Sequence, residues 1–345
     1  MSTVTDPADI KLLKLLQVEM PVVERPFAAL ADRVGASEKE VLERVQRLKA
    51  NGVIRQISAI FDTRSLGYES SLVAARFEPA RVDEAAAVIN RHPGVSHNYL
   101  RNHSFNLWFT IAVAPTSKLG LQRTLEILQN ESGASALRLL PTLKLYKIGV
   151  QFDLGDESKP DESAPPQYTE GRRVATIALN AADIEFVRIM QRDVSLTPTP
   201  FVEYARELGV SLGTLQRTYN RFLEQGTLRR FAAVLHHRKA GFSANAMGVW
   251  LVPGDDAEVD RVGEILAGFR AVTHCYRRPA YPDWPYNIFT MVHGKTAADC
   301  EKALRAMSEK TGVTDYAALY STKEYKKSRI RYFTHEEEEW EHRYL

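Results

Sequence analysis

The sequence predicts an α+β protein built from one unit used twice. Each copy is a winged helix-turn-helix followed by a ferredoxin-like βαββαβ layer. Three observations carry this reading. Residues 8 to 68 align with 182 to 242 without a gap, pairing Phe27 with Phe201, Gly35 with Gly209, Gly52 with Gly226, Arg55 with Arg229 and Gly67 with Gly241. A period this long is not that of a solenoid; it marks a duplicated, fused subunit. Each copy opens with three short helical stretches and a glycine turn between the last two, the helix-turn-helix pattern. The hydrophobic pattern that follows reads strand, helix, strand, strand, helix, strand in both copies.

Taken in order, Asp9 to Leu16 carries apolar residues at helical spacing, with Asp9 as a cap. Pro26 starts a second helix, PFAALADRV, which suits proline's first-turn preference. Ser37 caps a third helix with Glu40 three residues on as a capping box, and Gly52 closes it. Val53 to Phe61 leaves the helices as a strand. Ser71 to Phe77 is a strand, Val82 to Arg91 an amphipathic helix, Val95 to Leu100 and Asn106 to Ala114 strands, Leu119 to Asn130 a helix, and Leu137 to Tyr146 one final strand. The second copy repeats these over Ala246 to Val252, Glu258 to Gly268, Val272 to Arg277, Asn287 to Val292, Ala297 to Lys310 and Tyr316 to Ser321. The implied domains are 1–60 and 61–152 in the first copy, a Pro-, Ser- and acid-rich linker at 153–175, 176–234 and 235–330 in the second copy, and a tail at 331–345 read as a short helix or disordered, its glutamates solvated.

Bulk properties narrow the function. No apolar run is long enough to cross a bilayer, and MSTVTDPADI has neither the basic nor the apolar region of a signal peptide. Two cysteines, Cys275 and Cys300, exclude a disulfide framework and fit a reducing cytoplasm. A formal net charge of +2 gives modest non-specific affinity for nucleic acid.

The chemistry is concentrated in VTHCYRRPAYPDWPYNIFTMVHG (272–294) and in a weaker copy, VSHNYLRNHSFNLWFT (95–110). The shared pattern V-[ST]-H-x-Y pairs His97 with His274 and Tyr99 with Tyr276; Arg101 falls opposite Arg278, and Asn106 opposite Asn287. Alternate residues of a strand share a face. His97, Tyr99 and Arg101 would therefore line up, as would His274, Tyr276 and Arg278. Imidazole, phenol and guanidinium in a row beside aromatics suit a large, flat polyanion. Cys275 would face the opposite way and be buried, and Trp250 belongs to the core.

LADRVGASEKEVLERVQRLKANGVIRQISAIFDTRSLGY resembles the Lrp/AsnC transcription regulators. Three features set the chain apart from a DNA reader. The third helix carries Glu38, Glu40 and Glu43 where base-reading helices carry cations or amides. Gly213 lies in its second-copy counterpart. The sheet layers hold the His, Tyr and Arg clusters. The whole pattern is similar to the siroheme decarboxylases, which use the Lrp/AsnC layout. RPFAALADRVG, FDTRSLGY and HNYLRNHSFNLWFT resemble their A- or D-type subunit; HHRKAGFSANAMGVW and HCYRRPAYPDWPYNIFTMVHG resemble their B- or L-type subunit.

That resemblance implies loss of carbon dioxide from the two acetate side chains (C12 and C18, rings C and D) of siroheme. The product, 12,18-didecarboxysiroheme, serves haem or haem d1 biosynthesis. Siroheme is then substrate, and the chemistry asks for no cofactor of the protein's own. The methylene left behind needs a proton, and a histidine is the natural donor near neutral pH. His97 and His274 are the expected proton donors or acetate orienters, with Tyr99, Tyr276, Arg101 and Arg278 completing the catalytic rows. His103, Arg277, Tyr281, Trp284, Tyr286, Asn287, Trp108, His237 and Arg238 are the expected substrate contacts. His103 or His293 could instead ligate the iron. A dimer of the fused chain is expected, without membrane association or functional DNA binding. The competing readings are a tetrapyrrole-responsive regulator of Lrp/AsnC type and a carrier without turnover.

Overall fold

The computed structural model describes residues 6–148, 176–235 and 244–345. The first copy opens with α1 (Pro7–Val18), α2 (Pro26–Val34), α3 (Glu38–Ala50) and β1 (Ile54–Phe61). Asp6, rather than Asp9, caps α1, accepting from the N–H groups of Ala8 and Asp9. Pro26 begins α2, Gly35 ends it at φ +80°, and Ser37 and Glu40 form the capping box of α3. The first-copy sheet layer is β2 (Glu69–Arg76), α4 (Val82–Asn90), β3 (Val95–Arg101), β4 (Leu107–Val113), α5 (Gly120–Ser132), β5 (Ala136–Leu140) and β6 (Lys144–Ile148). The second copy repeats the plan as α6 (Ala181–Met190), α7 (Pro200–Glu207), α8 (Leu212–Glu224), β7 (Leu228–Leu235), β8 (Ala244–Trp250), α9 (Asp256–Ala267), β9 (Val272–Arg277), β10 (Ile288–Gly294), α10 (Ala297–Thr311) and β11 (Tyr316–Lys327), and α11 (His335–His342) follows. Gly213 lies in the first turn of α8, where the cost of an interior glycine does not apply in full. The linker expected at 153–175 lies outside the described residues.

The two helix-turn-helix domains share one core. Antiparallel pairing of β1 with β7 joins them, and Leu12, Leu16, Phe27, Val41, Phe186, Phe201, Phe222 and Phe231 pack in a single cluster. The sheet layers join more intimately. Strand order is β5-β2-β4-β3-β11-β8-β10-β9-β6. Each copy's last strand begins in its own sheet and finishes in the other's. β5 pairs with β2 and its continuation β6 with β9; the first half of β11 pairs with β8 and its second half with β3. The final strand expected at 137–146 is therefore two, broken where Pro141 lacks an N–H for the ladder. Its counterpart runs on to Lys327, past the expected Ser321, because it crosses into the other sheet.

Helices α4 and α5 cover the outer face of one sheet, and α9 and α10 that of the other. The inner faces meet in a cluster holding Ala74, Phe105, Trp108 and Leu140 of the first copy and Met247, Val249, Trp284, Phe289 and Leu319 of the second. Trp250 and Cys275 are buried on the helix side of the second sheet, in line with the sequence.

The tail is only in part a solvated run: Glu336, Glu338 and Glu339 are exposed, but its other side is docked. Helix α11 folds back onto the first copy, where Trp340 is buried and meets the His92 ring edge-on at 4.4 Å. The Glu341 carboxylate accepts from Ser117 Oγ and Leu119 N at the start of α5, both at 2.7 Å. Glu337 accepts from the Tyr68 hydroxyl at 3.0 Å, and burial raises its carboxyl to about 7. His92 is buried as a neutral ring whose Nδ1 accepts from Gly94 N at 3.0 Å.

Two outcomes are expected. Trp340→Ala should cost about 3–5 kcal/mol, the range for emptying a buried aromatic site, read by denaturant unfolding. Burial lowers His92 from 6.5 to about 3. Its folded state thus refuses a proton that the unfolded chain accepts, so stability should fall as pH drops from 6.5 toward 3. His92→Gln should flatten part of that slope in thermal melts taken across the range.

Candidate active site

Both His-Tyr-Arg rows face the layer between the sheets, at the seams where the copies exchange strands. In the first copy, His97, Tyr99 and Arg101 alternate along β3 beside the second half of β11. In the second, His274, Tyr276 and Arg278 run from β9 into the following residue, beside β6. A register shift sits at the same point of each row. Ser96 is the extra residue between Val95 and His97, and Thr273 the extra residue next to His274. Such bulges re-aim side chains. Here each turns a hydroxyl onto its histidine: Ser96 Oγ lies 3.0 Å from His97 Nδ1, and Thr273 Oγ1 lies 2.9 Å from His274 Nδ1. Each histidine lies beside its tyrosine, with ring centroids 6.2 Å and 6.1 Å apart.

The arginines cross between copies. Arg101 Nη1 donates to Leu319 O at 2.9 Å, and Arg278 Nη1 donates to Leu140 O, its pseudo-symmetric equivalent. Arg101 lies 5.9 Å from the Tyr99 ring centre and Arg278 4.8 Å from that of Tyr276. The Nε of each guanidinium is buried without a partner among the described residues, and burial pushes both groups down to about 10. A buried cation without a carboxylate is costly and is relieved by an anion that completes it.

The histidines are set for the neutral form. Burial lowers His97, helped by the charges of Lys327 and Arg55 and opposed by Glu324; burial lowers His274, helped by His293. Burial raises the Tyr276 phenol while Arg278 and Arg64 pull it back. Arg64 comes from the turn after β1, so the first copy lends charge to a second-copy row.

The other expected contacts divide. Trp108 and Trp284 are buried, and their rings meet at 5.0 Å inside the inter-sheet core, so they hold the sheets together rather than present a face to a ligand. Tyr286 packs edge-on against Trp284 at 5.0 Å. Tyr281 donates to Leu139 O at 2.6 Å, and Arg138 forks onto Asp283 with two 2.8 Å bonds; the PDWP insertion is thus a clasp from the second copy onto β5. Asn287 exchanges bonds with Val252 N and O, at 3.0 and 2.9 Å, as Asn106 does with Phe77, a structural clip in both copies. Arg277 points to the outer side and pairs with Asp256 and Asp260. His103 accepts from Phe105 N at 3.0 Å and stands edge-on to Trp284. His237 and Arg238 lie outside the described residues. The sequence reading missed Thr273 and Ser96, although the [ST] of the shared pattern marked them, and it missed Arg55 and Arg64, which reach the rows only through the fold.

Fold and site together define a tandem protein of Lrp/AsnC architecture whose sheet layers carry anion-seeking, proton-competent rows. Residues 65–147 and 239–326 match the AsnC-like ligand-binding domain, and residues 9–55 the siroheme decarboxylase NirDL-like helix-turn-helix domain. The chain is 38% identical over 330 residues, 96% of each protein, to the siroheme decarboxylase of Hydrogenobacter thermophilus. It is 34% identical over 325 residues to the siroheme decarboxylase NirDL subunit of Paracoccus denitrificans, covering 92% of this chain and 95% of that one. The crystal structure of the siroheme decarboxylase NirDL in co-complex with an iron-uroporphyrin III analogue superposes with a TM-score of 0.77 at 34% identity, over 96% of this chain and 97% of that one. The chain belongs to the siroheme decarboxylase family.

Losing a charge-assisted bond to a carboxylate costs about 1.5–3 kcal/mol. Arg278→Gln should therefore weaken binding of an iron uroporphyrin by roughly tenfold to a hundredfold, read from the shift of its visible absorption on titration. Arg277→Gln, on the outer face, should leave that binding within about twofold.

Proposed function

We propose that this chain removes carbon dioxide from the C12 and C18 acetates of siroheme, giving 12,18-didecarboxysiroheme for haem or haem d1 synthesis. The observation that carries the reading is the pair of buried guanidinium groups, Arg101 and Arg278, each short of an anion and each in a row with a histidine. A macrocycle ringed with carboxylates supplies those anions. Its negative charge also raises the pKa of a nearby imidazole, countering the burial that lowers His97 and His274.

The chemistry asks for little else. When the carbon–carbon bond to the carboxylate breaks, the electron pair passes to the methylene carbon and into the conjugated ring, and carbon dioxide departs. A histidine then delivers the proton that makes the methyl group. The arginine anchors the carboxylates, and the tyrosine hydroxyl, held up by burial, remains a neutral donor at the row's centre. The reading places the enzyme in the cytoplasm, as a self-associated fused chain with no cofactor of its own.

Anaerobic incubation with siroheme, followed by mass spectrometry, should show loss of two carboxyl groups. General acids contribute about 10²–10⁴-fold to such rates. His274→Ala or His97→Ala should therefore lose activity by about that factor while still binding substrate; full activity in both would sink the reading.

The intact helix-turn-helix domains favour a second reading, a regulator that binds DNA. Against it, Glu38 is engaged by Arg25 and Glu40 closes the capping box, so the N-terminus of α3 offers phosphates carboxylates instead of cations. Gel shifts at physiological salt should show no nanomolar, sequence-specific complex.

A further inference from the structure

The second row contains a device that the first lacks. We infer that His293, Thr273 and His274 form a proton-reloading chain for the decarboxylation proposed above, on which this inference rests. Thr273 Oγ1 lies 2.9 Å from His274 Nδ1 and 3.0 Å from His293 Nε2. One hydroxyl thus bridges two imidazoles, and a hydroxyl can accept one proton while giving up another. Its remaining neighbour, Met291 O, is at the long distance of 3.5 Å. His293 stands on the inner face of β10, opposite Asn245 on β8, and its N–H is anchored on Ala271 O at 2.9 Å.

The first copy has the same backbone without the relay. Ala112 N donates to Gly94 O as His293 N does to Ala271 O, so Ala112 occupies the place of His293. There Ser96 Oγ bonds His97 Nδ1 at 3.0 Å and Thr110 Oγ1 at 2.7 Å, and the path runs from hydroxyl to hydroxyl without reaching a second imidazole.

The need for such a chain follows from burial. A flat substrate seated on the row covers the nitrogen of His274 that faces it, so the spent proton has to return through Nδ1. Each event consumes one proton. His274 Nε2–H gives its proton to the methylene carbon as the carbon–carbon bond to carbon dioxide breaks. His274 Nδ1 takes the hydroxyl proton of Thr273, and Thr273 takes one from His293, whose charged form burial disfavours and the carboxylates of the bound substrate favour. No oxidant or reductant enters. His274 is left neutral with its proton on Nδ1; once product leaves, the uncovered Nε2 takes a proton from solvent and Nδ1 returns one through Thr273 to His293, which restores the starting state.

The test uses the full chain and siroheme, with Thr273→Val, Thr273→Ser, His293→Gln and His274→Ala compared under multiple turnover. Thr273→Val should lower kcat about tenfold or more, with KM within about twofold and binding of iron uroporphyrin retained, which excludes a folding defect. Thr273→Ser should recover most of the rate. Rates in mixtures of light and heavy water should fall along a bowed curve in the native chain, as for several protons in flight, and along a straighter one in Thr273→Val and His293→Gln. Wild-type turnover in Thr273→Val, or no rescue by serine, overturns the relay. If His274→Ala is inactive while Thr273→Val is unaffected, only the relay fails; if His274→Ala is fully active, the general-acid reading beneath it fails too.

Discussion

The structure depends on strand exchange at two seams. Each copy's last strand leaves its own sheet after five residues and completes the other's, β6 against β9 and the far half of β11 against β3. Main-chain hydrogen bonds must be satisfied wherever they are buried. Neither sheet has a finished edge without the other copy, and neither inner face is covered without it. The same crossing supplies the carbonyls of Leu140 and Leu319, on which Arg278 and Arg101 are fixed. The seam that closes the fold therefore also sets the position of the two cations. The PDWP clasp tightens it, since Arg138 and Asp283 join opposite copies.

A guanidinium nitrogen buried without a partner is destabilising, and among the described residues Arg101 and Arg278 each hold one. Their partners are a backbone carbonyl and an aromatic face, weaker than a carboxylate. The histidines beside them are held neutral by burial and, for His97, by further positive charge. Glu324 offsets part of the positive charge near His97 and Tyr99, whereas neither arginine has a carboxylate partner among the described residues. In the proposed reaction a polycarboxylate would relieve both cations and move the imidazoles toward the charged form, so that substrate binding and activation of the acid would be one electrostatic event.

The sequence made the duplicated architecture and the alternating rows legible because both rest on short-range periodicity. Glycine turns, capping residues and the spacing of two along a strand are local signals. What it hid was set by distant contacts. Trp284 and Trp108 looked like a platform for a macrocycle, yet opposite sheets press them together. Asn287 looked like a site residue because it recurs, but recurrence also preserves a clip such as that on Val252. Arg277 and Arg278 are neighbours in sequence and lie on opposite faces, so only one reaches the layer. Glu337 and Glu341 stand apart from an otherwise exposed run of glutamates, and composition says nothing about Tyr68 or the start of α5, which hold them.

The fused chain frees the copies from identity. In a symmetric pair both rows must carry the same residues, whereas here the place of His293 in one copy is taken by Ala112 in the other. The first row sets two cations, Lys327 and Arg55, and one carboxylate, Glu324, around a histidine that ends on hydroxyls; the second gathers imidazoles around a hydroxyl. Extra positive charge favours holding an anion but disfavours a charged imidazole, and a second imidazole does more for moving a proton than for holding an anion. Binding and proton delivery make opposed electrostatic demands on a single row. Two rows that descend from one sequence but sit in one chain can divide those demands.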